Sequence, residues 1–136
     1  MYNVVLNLHS YWAYLVLIVL VIAVLNALIK MFGDKEYGPK DFRIALFTLI
    51  VSHIQLLIGL VLYFVSPRLQ TFSELGMGGV MKDSILRLYL VEHPIINILA
   101  VVFITIGYSK HKKKLTSKAK IKPIAIFYTI GLLLLL

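Results

Sequence analysis

The fold is decided by one apolar run, LNLHSYWAYLVLIVLVIAVLNALI, at residues 6–29. A transmembrane helix needs about 20 predominantly apolar residues to cross a hydrocarbon core about 30 Å thick, so this run is long enough to span a bilayer. Similar blocks follow at about residues 42–65, 85–108 and 124–136. The last block provides only about 13 residues, roughly 20 Å of helix. Its helix either ends inside the membrane or, as we expect, continues beyond the printed sequence.

The composition is that of a membrane protein with one domain, residues 1–136. Hydrophobic residues make up 60% of the chain and the mean hydropathy is +0.92, whereas a soluble domain is about 45–50% apolar. The chain has no cysteine, which excludes disulfides, thiol catalysis and iron–sulfur clusters. It contains neither G-x-x-x-x-G-K-[ST] nor G-x-G-x-x-G, so the sequence indicates no nucleotide-binding loop.

The basic residues predict how the chain is oriented. The net charge is +8, and most lysines and arginines lie in two connections, at residues 30–43 and 110–122. Basic loops stay on the cytoplasmic side of a membrane. We therefore predict an all-α, up-down bundle of four transmembrane helices with cytoplasmic basic loops and both termini on the periplasmic side. The connection at 66–84 is predicted to be a loop, with Ser84 capping the third span.

The same charge distribution argues against a nucleic-acid partner, because the lysines follow the predicted topology. An anionic lipid or a protein partner is the alternative use for the run at residues 110–122.

Small and polar side chains mark the faces through which the spans should pack, since lipid removes the hydrophobic drive between membrane helices. The faces recur at helical spacing and comprise His9, Ala13, Val16, Leu20, Ala23 and Ala27 in the first span, Ala45, Thr48, Ser52, Gln55 and Gly59 in the second, and His93, Asn97, Ala100, Ile104 and Gly107 in the third. We expect all three faces to point into the bundle.

Three histidines lie within the predicted spans, where an ionisable residue is a functional hypothesis by default. His9 and His93 lie on the centre lines of packing faces and His53 on a flank, whereas His111 belongs to the lysine-rich connection and is expected to be solvated. The sequence lacks H-E-x-x-H and G-x-S-x-G motifs, and Glu92 is the only acidic residue well inside a span. Haem b needs only one or two imidazoles and an apolar groove, so it is the cofactor that these residues fit best.

Helical rise predicts which histidines can share one iron. Counted at 1.5 Å per residue from the basic end of each helix, they lie at depths of about 31 Å (His9), 25 Å (His93) and 15 Å (His53). His9 and His93 are therefore the predicted axial pair, on diagonal helices, and His53 is an alternative ligand. Arg87, about 9 Å nearer the outer surface than His93, is a candidate partner for haem propionates. The alternative for Arg87, and for Arg68, is an interfacial cation that reaches the headgroups.

Residues 91–94, VEHP, form the most unusual segment of the third span. Pro94 cannot donate to the carbonyl of Leu90, so we expect that oxygen to be free for a neighbouring group and the helix to bend. Glu92 lies off the packing face. It is expected either to be protonated or to pair with Arg87 or an interfacial group across the bend.

Four stretches resemble small four-helix bacterial membrane proteins of the type labelled cytochrome b-like: HSYWAYLVLIVLVIAVLNAL, FTLIVSHIQLLIGLVLYFVSP, MKDSILRLYLVEHPIINILA and ITIGYSK. The resemblance covers most of the chain and includes His9, His53 and the Glu92-His93-Pro94 motif. It implies a haem b protein with a respiratory or redox role, multi-pass in the bacterial inner (cytoplasmic) membrane. The chain lacks the paired histidines by which large respiratory cytochromes b hold two haems, so at most one haem is implied.

These observations predict a b-type haem protein that takes part in electron transfer, as a carrier or a subunit of a larger respiratory complex rather than as a stand-alone enzyme. The expected partners are the lipid bilayer, other membrane subunits or further copies of the chain, and quinone near His53 and Gln55. The alternative is a haem-free accessory or scaffold subunit whose histidines only join helices. A proton or solute carrier built on Glu92 and His53 is a third interpretation, weakened by the lack of an inverted repeat.

Overall fold

The computed structural model describes residues 2–136, which are 90% helical and contain no strand. The elements are α1 (Tyr2–Phe32), α2 (Pro39–Val65), α3 (Pro67–Lys82), α4 (Ser84–Arg87), a π-helical turn (Leu88–Glu92), α5 (His93–Lys112) and α6 (Ser117–Leu135). The long helices extend a few residues beyond the predicted apolar blocks, because their polar ends are helical too.

Three helices are long and apolar enough to cross a membrane. They are α1, α2 and the continuous helix Ser84–Lys112, which comprises α4, the π turn and α5. Large apolar side chains cover their outward faces, for example Ile18, Ile22, Leu25 and Ile29 of α1, Phe47, Ile50, Leu57 and Phe64 of α2, and Ile95, Leu99 and Val102 of α5. Exposed apolar surface of this extent suits contact with lipid. The prediction that residues 124–136 also span the membrane stays a prediction.

The four long helices pack as a ring in which α1 and α5 occupy opposite corners. α1 contacts α2 and α6, while α5 contacts α2 and α6. The core lies in the lysine-rich half, where Leu20, Ile104 and Tyr128 are fully buried and the Tyr128 hydroxyl donates to the carbonyl of Ala45 at 2.8 Å. The predicted packing faces are confirmed in this half, where their members are buried between helices, whereas in the other half Ala13 and Gly59 are half-buried and His93 is exposed.

Two glycines allow α5 and α6 to approach closely. A Cβ placed on Gly107 would lie 2.7 Å from the Cβ of Phe127, and one placed on Gly131 would lie 2.9 Å from Cγ1 of Ile104. Real Cβ atoms do not come this close. Small residues at these positions therefore set the distance between the two helices, as is common in membrane bundles.

The segment predicted to be a loop at residues 66–84 is mostly helical, so that prediction was wrong. Ser66 accepts a hydrogen bond from the Arg68 N–H and begins α3, which breaks at Gly76, where φ is +72°. The predicted cap was also misplaced by one residue, because the side chain of Asp83, not Ser84, accepts from the N–H groups of Ile85 and Leu86. A serine cap followed by proline at the first helical position starts a helix without any apolar block.

At the lysine-rich end, Asp41 fixes the connection between α1 and α2. Its carboxylate is almost fully buried, pairs with the Lys30 ammonium and accepts 2.7 Å hydrogen bonds from the Asn26 amide and the Gly38 N–H. Lys30 also donates to the carbonyl of Glu36 at 3.1 Å. One buried carboxylate of α2 thus satisfies groups from α1 and from the connection.

His111 is fully buried, so the prediction that it is solvated was wrong. Its Nδ1 lies 2.6 Å from the Tyr108 carbonyl and its Nε2 2.7 Å from the Tyr37 hydroxyl. A carbonyl can only accept, so Nδ1 carries a proton. Burial, followed by the nearby Asp41 and Tyr108, raises the pKa of Tyr37 to about 12. The phenol therefore stays protonated, and its hydrogen bond with Nε2 makes His111 a link between the two basic connections.

Candidate cofactor site

A cavity of about 630 Å³ lies between α1, α2 and the α4–α5 helix, in the half of the bundle away from the lysines. Ligand cavities typically measure about 300–1,000 Å³, so this one can hold a sizeable group. Its lining is mainly apolar and includes Val16, Leu17, Leu56, Leu60, Leu90 and Val101. The polar groups that interrupt this lining are the residues that can orient a ligand.

His9 and His93 face the same cavity from opposite corners of the ring of helices. Their ring centroids are 6.3 Å apart and their planes are nearly perpendicular, at 84°. Two imidazoles on opposite sides of one metal ion, each bound at about 2.0–2.1 Å, have centroids about 6.2–6.5 Å apart. The observed spacing matches that distance, and it is also the spacing of two rings packed edge to face. Residues 2–136 contain no cluster of three or more His, Cys, Asp or Glu side chains.

One edge of the His9 ring lies close to α2. A Cβ on Gly59 would lie 3.3 Å from Cε1 and 3.7 Å from Nδ1 of His9, so glycine provides the space for the imidazole. Gln55 fixes the helix beside it, because its Nε2 donates to the carbonyl of His9 at 3.0 Å. Both Nδ1 of His9 and Oε1 of Gln55 are buried without a hydrogen-bond partner. Buried polar atoms normally find a partner, so these two atoms are exceptions at the contact between α1 and α2.

The π turn next to His93 follows from Pro94. The His93 N–H bonds to the carbonyl of Leu88, five residues back, while proline supplies no N–H to the carbonyl of Leu90. The Tyr63 hydroxyl donates to that carbonyl at 3.0 Å. This confirms the prediction that the Leu90 oxygen accepts from a neighbouring helix, and it joins the end of α2 to the span that carries His93.

Arg87, the predicted propionate partner, is already engaged. Its Nε donates to Oε1 of Glu92 at 2.9 Å and its Nη1 to the carbonyl of Met81 at 3.0 Å. Residues five apart lie about 140° from each other around an α-helix, so this pair depends on the wider π turn between them. Of the alternatives for Glu92, pairing with Arg87 across the bend is the one observed. Arg87 is not among the residues that line the cavity.

Arg68 lines the cavity instead. Its guanidinium carbon lies 4.0 Å from the ring centroid of Tyr89, a cation–π contact. The two ion pairs found in residues 2–136 are Lys30–Asp41 and Arg87–Glu92, so Arg68 has no carboxylate partner there. The sequence placed Arg68 at the same end of the bundle as Arg87 but could not distinguish the two.

His53 lies apart from the other two histidines. Its Nδ1 is 2.8 Å from the Leu49 carbonyl and its Nε2 is 3.4 Å from the Thr105 hydroxyl of α5. His53 and His93 are both exposed, but His53, unlike His93, is not among the residues that line the cavity. The structure therefore brings together His9, His93, Gln55 and Arg68, but neither His53 nor Arg87.

The residues present fit a haem. Two imidazoles with ring centroids 6.3 Å apart and an arginine without a carboxylate partner in residues 2–136 line one largely apolar cavity, and these residues would hold the group. Comparison of the chain with protein-family models, curated proteins and solved structures finds no match. The function is therefore inferred from the geometry of the site.

Proposed function

We propose that this protein is a b-type haem-binding membrane protein that takes part in electron transfer, with His9 and His93 as the axial ligands. The observation that carries the proposal is the facing pair of imidazoles, 6.3 Å apart, in a largely apolar cavity of about 630 Å³. When bound, haem b supplies a one-electron ferric/ferrous couple. We further propose that the protein serves as a carrier or as a subunit of a larger respiratory complex, with quinone as a candidate exchange partner.

The chain's own residues would hold and orient such a group. Helices α1 and α5 supply one imidazole each from opposite corners of the ring of helices. A group bound by both imidazoles would therefore join α1 to α5. The lining of the cavity is largely apolar, and an apolar surrounding strengthens electrostatic effects on a bound group. Gly59 leaves room for the His9 ring, and the bond from Gln55 to the His9 carbonyl fixes the backbone of that ligand.

The proposed location is the bacterial inner membrane, with four spans and both termini on the periplasmic side. The seven lysines of residues 110–122 support this orientation, because they make one end of the bundle strongly basic. The cavity lies in the opposite half. Under this topology the haem would lie near the periplasmic face of the membrane.

The test is the absorption spectrum of the detergent-purified protein, oxidised and then reduced with dithionite. A Soret band and a sharp reduced α-band, both lost in His9→Gln and in His93→Gln, are expected. His53→Gln is the matched control, because this histidine lies outside the cavity, and it should retain the spectrum. A stable, colourless protein that gains no Soret band when haem is added would refute the proposal, as would loss of the bands only in the His53 variant.

A haem-free accessory or scaffold subunit is the second candidate. It is favoured by polar side chains that already join helices without any cofactor, namely Trp12 to the Val51 carbonyl at 2.9 Å, Gln55 to the His9 carbonyl, and His53 beside Thr105. This candidate predicts co-purification with a larger assembly that persists when both His9 and His93 are replaced by glutamine. The haem proposal instead predicts that the double variant loses stability along with the spectrum.

A further inference from the structure

We infer that Arg68 is the residue that recognises the carboxylate edge of the ligand, so that the cavity selects a porphyrin bearing free propionates. The inference rests on the proposed function and assigns a further binding residue to the same site. It replaces the sequence-based assignment of that role to Arg87.

Arg68 and Arg87 differ in whether a carboxylate already pairs with the guanidinium. Arg87 donates to Glu92 and to the Met81 carbonyl, so its charge is already neutralised by a neighbouring carboxylate. Arg68 has no such partner in residues 2–136, and its guanidinium rests on the face of Tyr89. A guanidinium stacked on an aromatic ring keeps its edge donors available for a carboxylate, which it binds in a planar, two-point geometry.

The Arg68 guanidinium also lies near the two imidazoles along the helix axis. Tyr89 comes four residues before His93, about 6 Å along the helix axis, and both residues line the same cavity. The guanidinium that stacks on Tyr89 therefore lies about one helical turn from the imidazole pair, on the side away from the lysines. A planar macrocycle with an iron between the imidazoles and acidic groups at one edge would meet a cation on this side of the cavity.

The backbone of Arg68 is also held in place by the N-terminal cap of α3. Its backbone N–H donates to the Ser66 hydroxyl at 3.2 Å, and Pro67 lies between them at the first position of α3. Ser66 also lines the cavity. The arginine thus projects from a capped helix terminus rather than from a free loop, which reduces the conformational entropy lost when it binds an anion.

The experiment compares binding of haem with binding of its dimethyl ester, in which both propionates are blocked, to the purified protein after removal of any resident haem. The wild-type protein should bind haem about tenfold or more tightly than the ester, as expected for one charge-assisted contact of about 1.4 kcal/mol. Arg68→Gln should reduce this ratio towards one without weakening binding of the ester. Arg87→Gln is the matched control and should keep the wild-type ratio.

The outcomes separate the inference from the function on which it rests. Wild-type protein that binds neither porphyrin overturns both. Binding of both porphyrins with a ratio that Arg68→Gln leaves unchanged, or that only Arg87→Gln reduces, overturns the inference while haem binding stands. Equal weakening of haem and ester by Arg68→Gln also overturns it, because that result indicates a structural role for the arginine.

Discussion

Tyr63→Phe removes one oxygen atom, and the structure predicts a clear cost for it. The Tyr63 hydroxyl donates to the carbonyl of Leu90 at 3.0 Å, and that carbonyl lacks the N–H that residue 94 supplies in an ordinary α-helix because residue 94 is proline. Losing the donor leaves a buried acceptor without a partner. We expect the free energy of unfolding to fall by about 1–2 kcal/mol, which is about 5–30-fold in the unfolding equilibrium constant.

The assay is reversible unfolding in mixed detergent micelles, followed by the loss of helical circular dichroism. Tyr11→Phe is the control, because this tyrosine is 74% exposed and its hydroxyl makes no hydrogen bond within residues 2–136. A decisive second test repeats Tyr63→Phe in a Pro94→Ala background. There the new N–H can satisfy the Leu90 carbonyl, so the cost of losing the Tyr63 hydroxyl should fall by about 1 kcal/mol.

Two results would refute this reasoning. One is a cost for Tyr63→Phe that equals the cost for Tyr11→Phe. The other is a cost that does not change when Pro94 is replaced by alanine, since the proline would then not be the reason that the carbonyl depends on tyrosine.

Three further predictions concern the rest of the bundle. Gly107→Ala should destabilise the fold by about 1–3 kcal/mol by overpacking, because its Cβ would lie 2.7 Å from a side-chain Cβ of α6; detergent unfolding measures this. Asp41→Asn should cost about 3 kcal/mol in the same assay, since it leaves Lys30 without its buried counter-ion. Tyr37, whose pKa is raised to about 12, should stabilise the fold fully below about pH 10 and lose that contribution between about pH 10 and 12; Tyr37→Phe should flatten the decline of stability over this range.

Each of these predictions has a control within the chain. Gly78→Ala should be nearly neutral, since nothing lies within 4 Å of its Cβ position, and a cost equal to that of Gly107→Ala would contradict the packing argument. Asp34→Asn alters an exposed carboxylate and should change stability little. If Tyr37→Phe leaves the alkaline profile unchanged, folding does not raise the pKa of Tyr37.

The sequence predicts well those features that depend on a single helix. Hydropathy identifies the three helices long enough to cross a membrane, and helical spacing identifies the faces they bury. The free carbonyl of Leu90 follows from Pro94 alone, by stereochemistry. The meeting of His9 and His93 was predicted from helical rise and alternating topology, and the structure brings the two rings within 6.3 Å.

The features that the sequence could not predict depend on how separate segments meet. His111 lies in a lysine-rich connection, yet packing of Tyr37 from another connection buries it. The choice between Arg68 and Arg87 depends on a π turn that pairs residues five apart, whereas the usual helical spacing of three or four would keep Glu92 and Arg87 separate. Residues 67–82 lack an apolar block, so their helix depends on capping rather than on hydropathy.

The π turn at Leu88–Glu92 also makes the third span tolerant of a change in chain length. The His93 N–H that closes this turn reaches back five residues, to Leu88, instead of four, so the turn contains one residue more than an α-helical turn does. A chain lacking Val91 could close the same turn as an α-helix while α4 and α5 keep their positions in the bundle. Elsewhere in the span, a deletion of one residue would rotate everything beyond it by about 100° and turn a packing face towards lipid. Variation in length among related chains should therefore concentrate at this turn.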